Sequence, residues 1–176
     1  MRGRLMVPVF VALAVAGCVR SDLAPGVSPE RIKRVQLGMT TDAVVGTLGL
    51  PLSVNAALHV HQGHCLGLSR PTDRSVSHAT EIHVFLDSIF NAPPCCSARR
   101  REQEEGRFSL NYARMVDKDG ISPMLWVHFD KTGHVVEVYA RLNSRVAFRD
   151  DVGIYHLNAK RPVQCDHELL DKYFSP

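Results

Sequence analysis

Nine histidines and five cysteines carry most of the chemistry this chain could perform. His59, His61, His64 and Cys65 crowd one stretch, and at strand spacing His59 and His61 share a face. With thiolates from Cys95 and Cys96, such a set could hold copper or zinc. The spacing matches no standard zinc pattern, since no C-x₂-C occurs. A histidine-rich exposed strand beside a disulfide is the plainer reading, and neither a metal nor another cofactor is expected. Cys65 or Cys165 beside a histidine would be the makings of a thiol nucleophile. Their flanks match no nucleophile motif, and no catalytic residue is assigned. Arg99, Arg100 and Arg101 could meet anionic headgroups, but Glu102, Glu104 and Glu105 follow at once and suit a self-neutralising solvated loop. Trp126 lies in an apolar strand and reads as core.

The amino terminus has a chemistry of its own. Arg2 and Arg4 precede an apolar run over residues 5–16, and Ala16 and Gly17 lead into Cys18. A positive start, an apolar run and small residues before a cut make a secretory signal. The run is shorter than the roughly 20 apolar residues that span a bilayer. Val15-Ala16-Gly17-Cys18 resembles the bacterial lipobox. That resemblance implies lipid on the Cys18 thiol, cleavage before Cys18 and an acylated new terminus. Several acyl chains anchor a protein durably where one does not. The same resemblance implies the outer membrane, because Val19 stands where such lipoproteins carry an Asp for inner-membrane retention.

Cleavage removes residues 1–17 and two arginines, so the formal charge of +3 falls by two units. Net charge thus offers no argument for nucleic acid. Once Cys18 carries lipid, Cys65, Cys95, Cys96 and Cys165 remain, an even set in an exported chain. The adjacent pair is expected to send one bridge back to Cys65 and one forward to Cys165, with the partners open.

The elements that must position these residues read as α+β. Residues 18–28 serve as the lipidated cysteine and a tether, and 29–176 as one domain. Ser28-Pro29-Glu30 opens a first short helix, and Thr40-Thr41-Asp42 a second that Gly49 and Pro51 end. The period then changes to two. Strands are expected over 54–60, 78–86, 107–116, 124–129 and 134–142, with a loop over 91–106. Asp130-Lys131-Thr132-Gly133 is a hairpin turn. The tail from 150 onward reads as irregular, with a short helix over 166–174. A two-helix hairpin packed on an antiparallel sheet follows.

Ile32-x-x-Val35-x-x-Gly38-Met39-Thr40, then Val44 and Leu48-Gly49-Leu50-Pro51, resembles the SmpA/OmlA (BamE-like) outer-membrane lipoproteins. Phe129-Asp130-Lys131-Thr132-Gly133-His134-Val135 fits their later strand and turn. The resemblance covers 29–52 well and 124–140 in part, and implies a two-helix, three-stranded core like that of β-lactamase-inhibitor proteins. In this scheme Gly38 turns between the helices, Thr40 caps the second, Gly49 and Pro51 end it, and Gly133 turns the hairpin. The stretch 58–107 is an insertion or extra strands. These motifs define a scaffold, not an activity. By resemblance, the expected role is non-catalytic: an accessory of the β-barrel assembly machinery or of envelope integrity. The alternative is a periplasmic inhibitor or ligand-binding lipoprotein using the sheet surface, which an exposed aromatic patch there would favour.

Overall fold

The computed structural model describes residues 21–56, 73–91, 106–115, 121–144 and 152–175. Cys18, His59, His61, His64, Cys65, Cys95 and Cys96 lie outside the described residues. The architecture is α+β. In chain order the elements are β1 (Ser21–Leu23), α1 (Pro29–Arg34), α2 (Thr41–Leu48), β2 (Ser53–Ala56), β3 (Asp73–Ser75), α3 (Ala79–Phe90), β4 (Arg107–Met115), β5 (Ile121–Asp130), β6 (Val135–Ser144), β7 (Val152–Asn158), β8 (Arg161–Cys165) and α4 (His167–Phe174).

The strands form one antiparallel sheet in the order β3-β2-β4-β5-β6-β7-β8, and β1 pairs with β4 beyond the end of β2. The long strands β4, β5 and β6 lie in its middle. Short strands extend them on both sides, beyond the three strands that the resemblance implies.

The beginnings of α1 and α2 follow their capping residues. The Ser28 hydroxyl accepts from the Arg31 N–H at 3.3 Å, and the Thr40 hydroxyl from that of Ala43 at 3.3 Å. At the far end of α2, Gly49 has φ +83° and donates to the Val45 carbonyl at 2.8 Å. This left-handed exit suits glycine alone. The link between α1 and α2 is tied to the β5–β6 turn. Gly38 donates to the Val135 carbonyl (2.8 Å), Val135 to that of Met39 (2.9 Å) and Thr41 to that of Gly133 (2.9 Å). Two sequence stretches some ninety positions apart are thus one structural unit, fastened through backbone groups that would otherwise be unpaired.

Three expectations need correction. Residues 78–86 are not a strand: His78 precedes α3 and 79–86 form its first part. Ile82, Val84 and Leu86 imitate a period of two, yet Ile82, Phe85 and Ile89 are the buried positions, at helical spacing, and Val84 is 61% exposed. The Glu81 carboxylate accepts from the Ser77 N–H at 2.8 Å and secures the helix start. The tail beyond 150 is not irregular, since it holds β7 and β8. A register shift between Ala140 and Arg141 on β6, opposite 153–155, buries Ile154 and Tyr155 in succession and hides the alternation from the sequence. Finally, 21–26 is not a free tether. Ser21–Leu23 is β1, Ala24 and Val27 are buried, and Ala24 donates to the Tyr112 carbonyl at 2.9 Å. The other three strands run over 53–56, 107–115 and 121–130 against expected 54–60, 107–116 and 124–129, and β6 over 135–144 against 134–142; residues 57–60 lie outside the described part.

One core unites both layers. Leu125, Val127 and Phe129 from β5, Leu110 and Phe108 from β4, and Val138 and Ala140 from β6 meet Ile32 of α1, Val44 and Leu48 of α2, Ile82, Phe85 and Ile89 of α3, and Leu170 and Phe174 of α4. The Phe108 and Phe129 rings stack 4.8 Å apart. Each of these Val, Leu, Ile and Phe side chains contributes about 1.5–3 kcal/mol on full burial. All four helices send their buried residues to this one face of the sheet.

Candidate functional site

The other face is where the polar and aromatic side chains gather. Side chains alternate along a strand, and paired residues of an antiparallel sheet point the same way. Because Leu125, Val127 and Phe129 face the core, Trp126 and His128 point away from it. The register carries this across the sheet. One row runs Ser53, Asn111, Trp126, Tyr139, His156, Gln164 from β2 to β8. The next runs Asn55, Ser109, His128, Glu137, Asn158, Arg161.

The centre of this face is an aromatic cluster. Trp126 and Tyr139 stand almost parallel, with centroids 6.2 Å apart and planes 10° apart. The Arg141 guanidinium lies 5.2 Å from the Trp126 centroid and 5.9 Å from that of Tyr139. His156 meets Tyr139 edge-on at 5.1 Å. These side chains are half-buried, and the His156 side chain is only 18% exposed. Trp126 was expected in the core. It lies on the opposite face, packed among π-systems and a cation.

A polar group adjoins the rings. His156 Nε2 is 2.7 Å from the Glu137 carboxylate and 2.8 Å from the Asn158 amide nitrogen. The Asn158 side-chain oxygen accepts from the Lys160 N–H at 2.9 Å, which turns its amide nitrogen towards His156. His128 is the neighbour of Glu137 across the β5–β6 pair. Burial pushes its pKa down, Arg107 and His156 push the same way, and Glu137 opposes them. Beside these groups a shallow depression of about 460 Å³ is lined by Glu137, Tyr139, Tyr155, His156, Arg161 and Gln164. Gly153, opposite Arg141, keeps that corner low. A ring face or edge, a carboxylate, a guanidinium and an amide within one hollow can hold an amphipathic group by stacking and hydrogen bonds.

The other candidates fare differently. Cys165 ends β8, and its sulfur is 3.6 Å from His167 Nδ1. Burial pushes the thiol pKa up; Asp166 and Asp171 push the same way and Lys33 only partly opposes them. A nucleophilic cysteine needs the reverse, a thiolate favoured at neutral pH. The expected bridges from Cys165 lead to cysteines outside the described residues, and so do the histidines of the metal set. Among the described residues no group of three His, Cys, Asp or Glu side chains converges as metal ligands. A second hollow of about 310 Å³ lies where α2, α3 and the β5–β6 turn meet, with the exposed Asp42–His83 contact of 3.0 Å at its lip. Gly38, Thr40, Gly49 and Gly133 all serve in turns and caps, and Pro51 is buried.

Sequence reasoning did not pick out Tyr139, Arg141, Glu137 or His156. The signal was present in β5, where three large apolar residues alternate with Trp126 and His128. That alternation assigns Trp126 to the face away from the core.

No family model, no curated protein and no solved structure matches the chain. Among the described residues no helix is long and apolar enough to cross a membrane.

Proposed function

We propose that this protein is a lipid-anchored envelope lipoprotein of the SmpA/OmlA (BamE-like) kind, which acts without catalysis by holding a protein partner on its open sheet face. The observation that carries this reading is the half-buried Trp126–Tyr139–Arg141–His156 cluster on the face that no helix covers, aromatic and cationic like the centres of protein interfaces. The lipobox at Cys18 supports the anchor, at the periplasmic face of the outer membrane. The fastening of the Gly38–Thr40 link to the Gly133 turn supports the family scaffold, with α1 and α2 as its helical hairpin, because it joins the two stretches that carry the resemblance.

The partner is an envelope protein, and by resemblance a subunit of the β-barrel assembly machinery. A second reading keeps the same face and changes the partner: a periplasmic protein that the lipoprotein inhibits, or a ligand. The aromatic cluster on the sheet surface is the feature that favours this second reading, while the resemblance favours the first. A photo-crosslinking residue in place of the exposed Gln164, activated in intact cells, separates them. The expected result is one dominant protein adduct that Trp126→Ala with Tyr139→Ala abolishes while the fold persists. Recovery of a barrel-assembly subunit supports the accessory role, and recovery of a soluble periplasmic protein supports the inhibitor. A Gln164 probe that labels nothing, or an adduct indifferent to both substitutions, overturns the proposal.

A further inference from the structure

Ser21 is already inside the sheet, paired with Met115 at the end of β4. Cys18 precedes it by three positions. Three residues at full extension span only about 10 Å. If Cys18 is acylated, as proposed above, the end of the sheet where β1 enters has almost no freedom to leave the lipid headgroups. β1 then runs from Met115 towards Ala113, so the chain heads away from that end as it joins the fold.

The same end of the sheet holds the start of β5, the finish of β6 and the start of β7. Ile121 pairs with Ser144, and Val152 with Leu142. Val152 is an apolar side chain left 49% exposed there. The opposite end holds the turns at Lys131 and Lys160, which are both exposed. With ten residues in β5, the two ends lie about 30 Å apart.

We infer that the β1-entry end of the sheet docks on the lipid bilayer, with the Lys131 and Lys160 turns pointing away and the aromatic face turned sideways along the membrane. The inference rests on the anchor proposed above and adds an orientation that the anchor alone does not supply. A long tether would let the domain tumble, whereas three residues do not. Trp126 stands five residues along β5 from Ile121, roughly 17 Å above the bilayer surface. A partner that meets it must reach that height, as the periplasmic domain of another membrane-bound protein does.

Depth-dependent quenching tests the orientation. An azide-bearing residue replaces Val152, Lys131 or Lys160 in separate full-length chains, and each matured protein is dye-labelled. The carriers are phosphatidylethanolamine/phosphatidylglycerol vesicles with nitroxide-headgroup lipid. Quenching several-fold stronger at position 152 than at 131 and 160 is expected. A Gly/Ser insert of about twelve residues between Arg20 and Ser21, which adds roughly 20 Å of flexible reach, should erase the difference. Intact mass of the same samples reports acylation. Equal quenching at the three positions in acylated protein overturns the orientation and leaves the anchor standing. A contrast that survives the insert overturns the short tether as its cause. A mature protein without acyl chains overturns the anchor and the orientation together.

Discussion

The two faces of the sheet carry side chains from the same strands and do opposite work. On one, Phe108, Leu125, Val127 and Phe129 are closed off by four helices. On the other, Trp126, Tyr139, Arg141 and His156 are only half-buried and lean on each other. Both faces are aromatic, so composition does not separate them. What separates them is cover. A Phe shielded by helices stabilises the fold, whereas a half-buried Trp beside a guanidinium keeps some surface available for a second molecule. Stability and binding are therefore expected to come apart under mutation.

The largest effect belongs to the packed face. Phe129 is 0% exposed and stacked on Phe108. Phe129→Ala should cost about 3–5 kcal/mol of unfolding free energy in denaturant titration. Trp126→Ala, its neighbour three positions earlier on the other face, should cost only about 1 kcal/mol, for a lost stack and a lost cation–π contact. It should nevertheless remove the Gln164 crosslink. Equal stability losses at the two positions would break the contrast and make the open face a second core.

An intermediate effect is expected where the helices are fastened to the sheet. Gly133 has φ +82°, and a Cβ there would sit 3.0 Å from the Thr41 hydroxyl, which itself donates to the Gly133 carbonyl. Gly133→Ala should cost about 1–3 kcal/mol. The aromatic face lies elsewhere, so at a temperature where the variant is folded its crosslinking should be unchanged.

A smaller effect is tied to pH. His128 sits on the open face, yet it is partly buried and its pKa is held below the ordinary 6.5, chiefly by burial. Glu137 pulls it back up, and Arg107 and His156 push it down. Its lowered folded value means that the unfolded chain takes up the proton first. No penalty exists well above 6.5, where both states are neutral. As pH falls below 6.5 towards the folded value, stability is lost. His128→Gln should flatten that part of the curve of unfolding free energy against pH. A curve identical to that of the unchanged protein would show that His128 is not the group responsible.

Much of the fold was legible because local chemistry dictated it. Ser28, Thr40, Gly49 and Gly133 each have a backbone reason to stand where they do, and each was readable before any strand was paired. The open site was less legible, because it exists only through register. Trp126, Tyr139 and His156 are far apart in the chain and become neighbours when β5, β6 and β7 align. Bulges compound the difficulty. The shifts opposite Tyr112 and Ile154 put consecutive residues into the core, and a strict period of two then assigns β7 to no face at all. The early strand β1 was missed for a third reason. A three-residue strand has too few positions to display a period, and only the edge left beside β4 makes it one.

The smallest predicted effect tests the one helix that was read as a strand. Over residues 78–86, alternation sets Val84 beside Ile82 and Leu86 on one face, and as a strand this would make Val84 core. As a helix the positions separate: Ile82 and Phe85 turn inward and Val84 outward. Ile82→Ser should cost several kcal/mol, since it exchanges a fully buried side chain for a hydroxyl without a partner. Val84→Ser removes no packed surface and replaces a β-branched residue in a helix, so it should fall within about 0.5 kcal/mol of neutral. α3 thus repeats in twelve residues the division that runs through the sheet. Two apolar side chains two positions apart differ in what covers them, and a cost at Val84 matching that at Ile82 would return the segment to a strand.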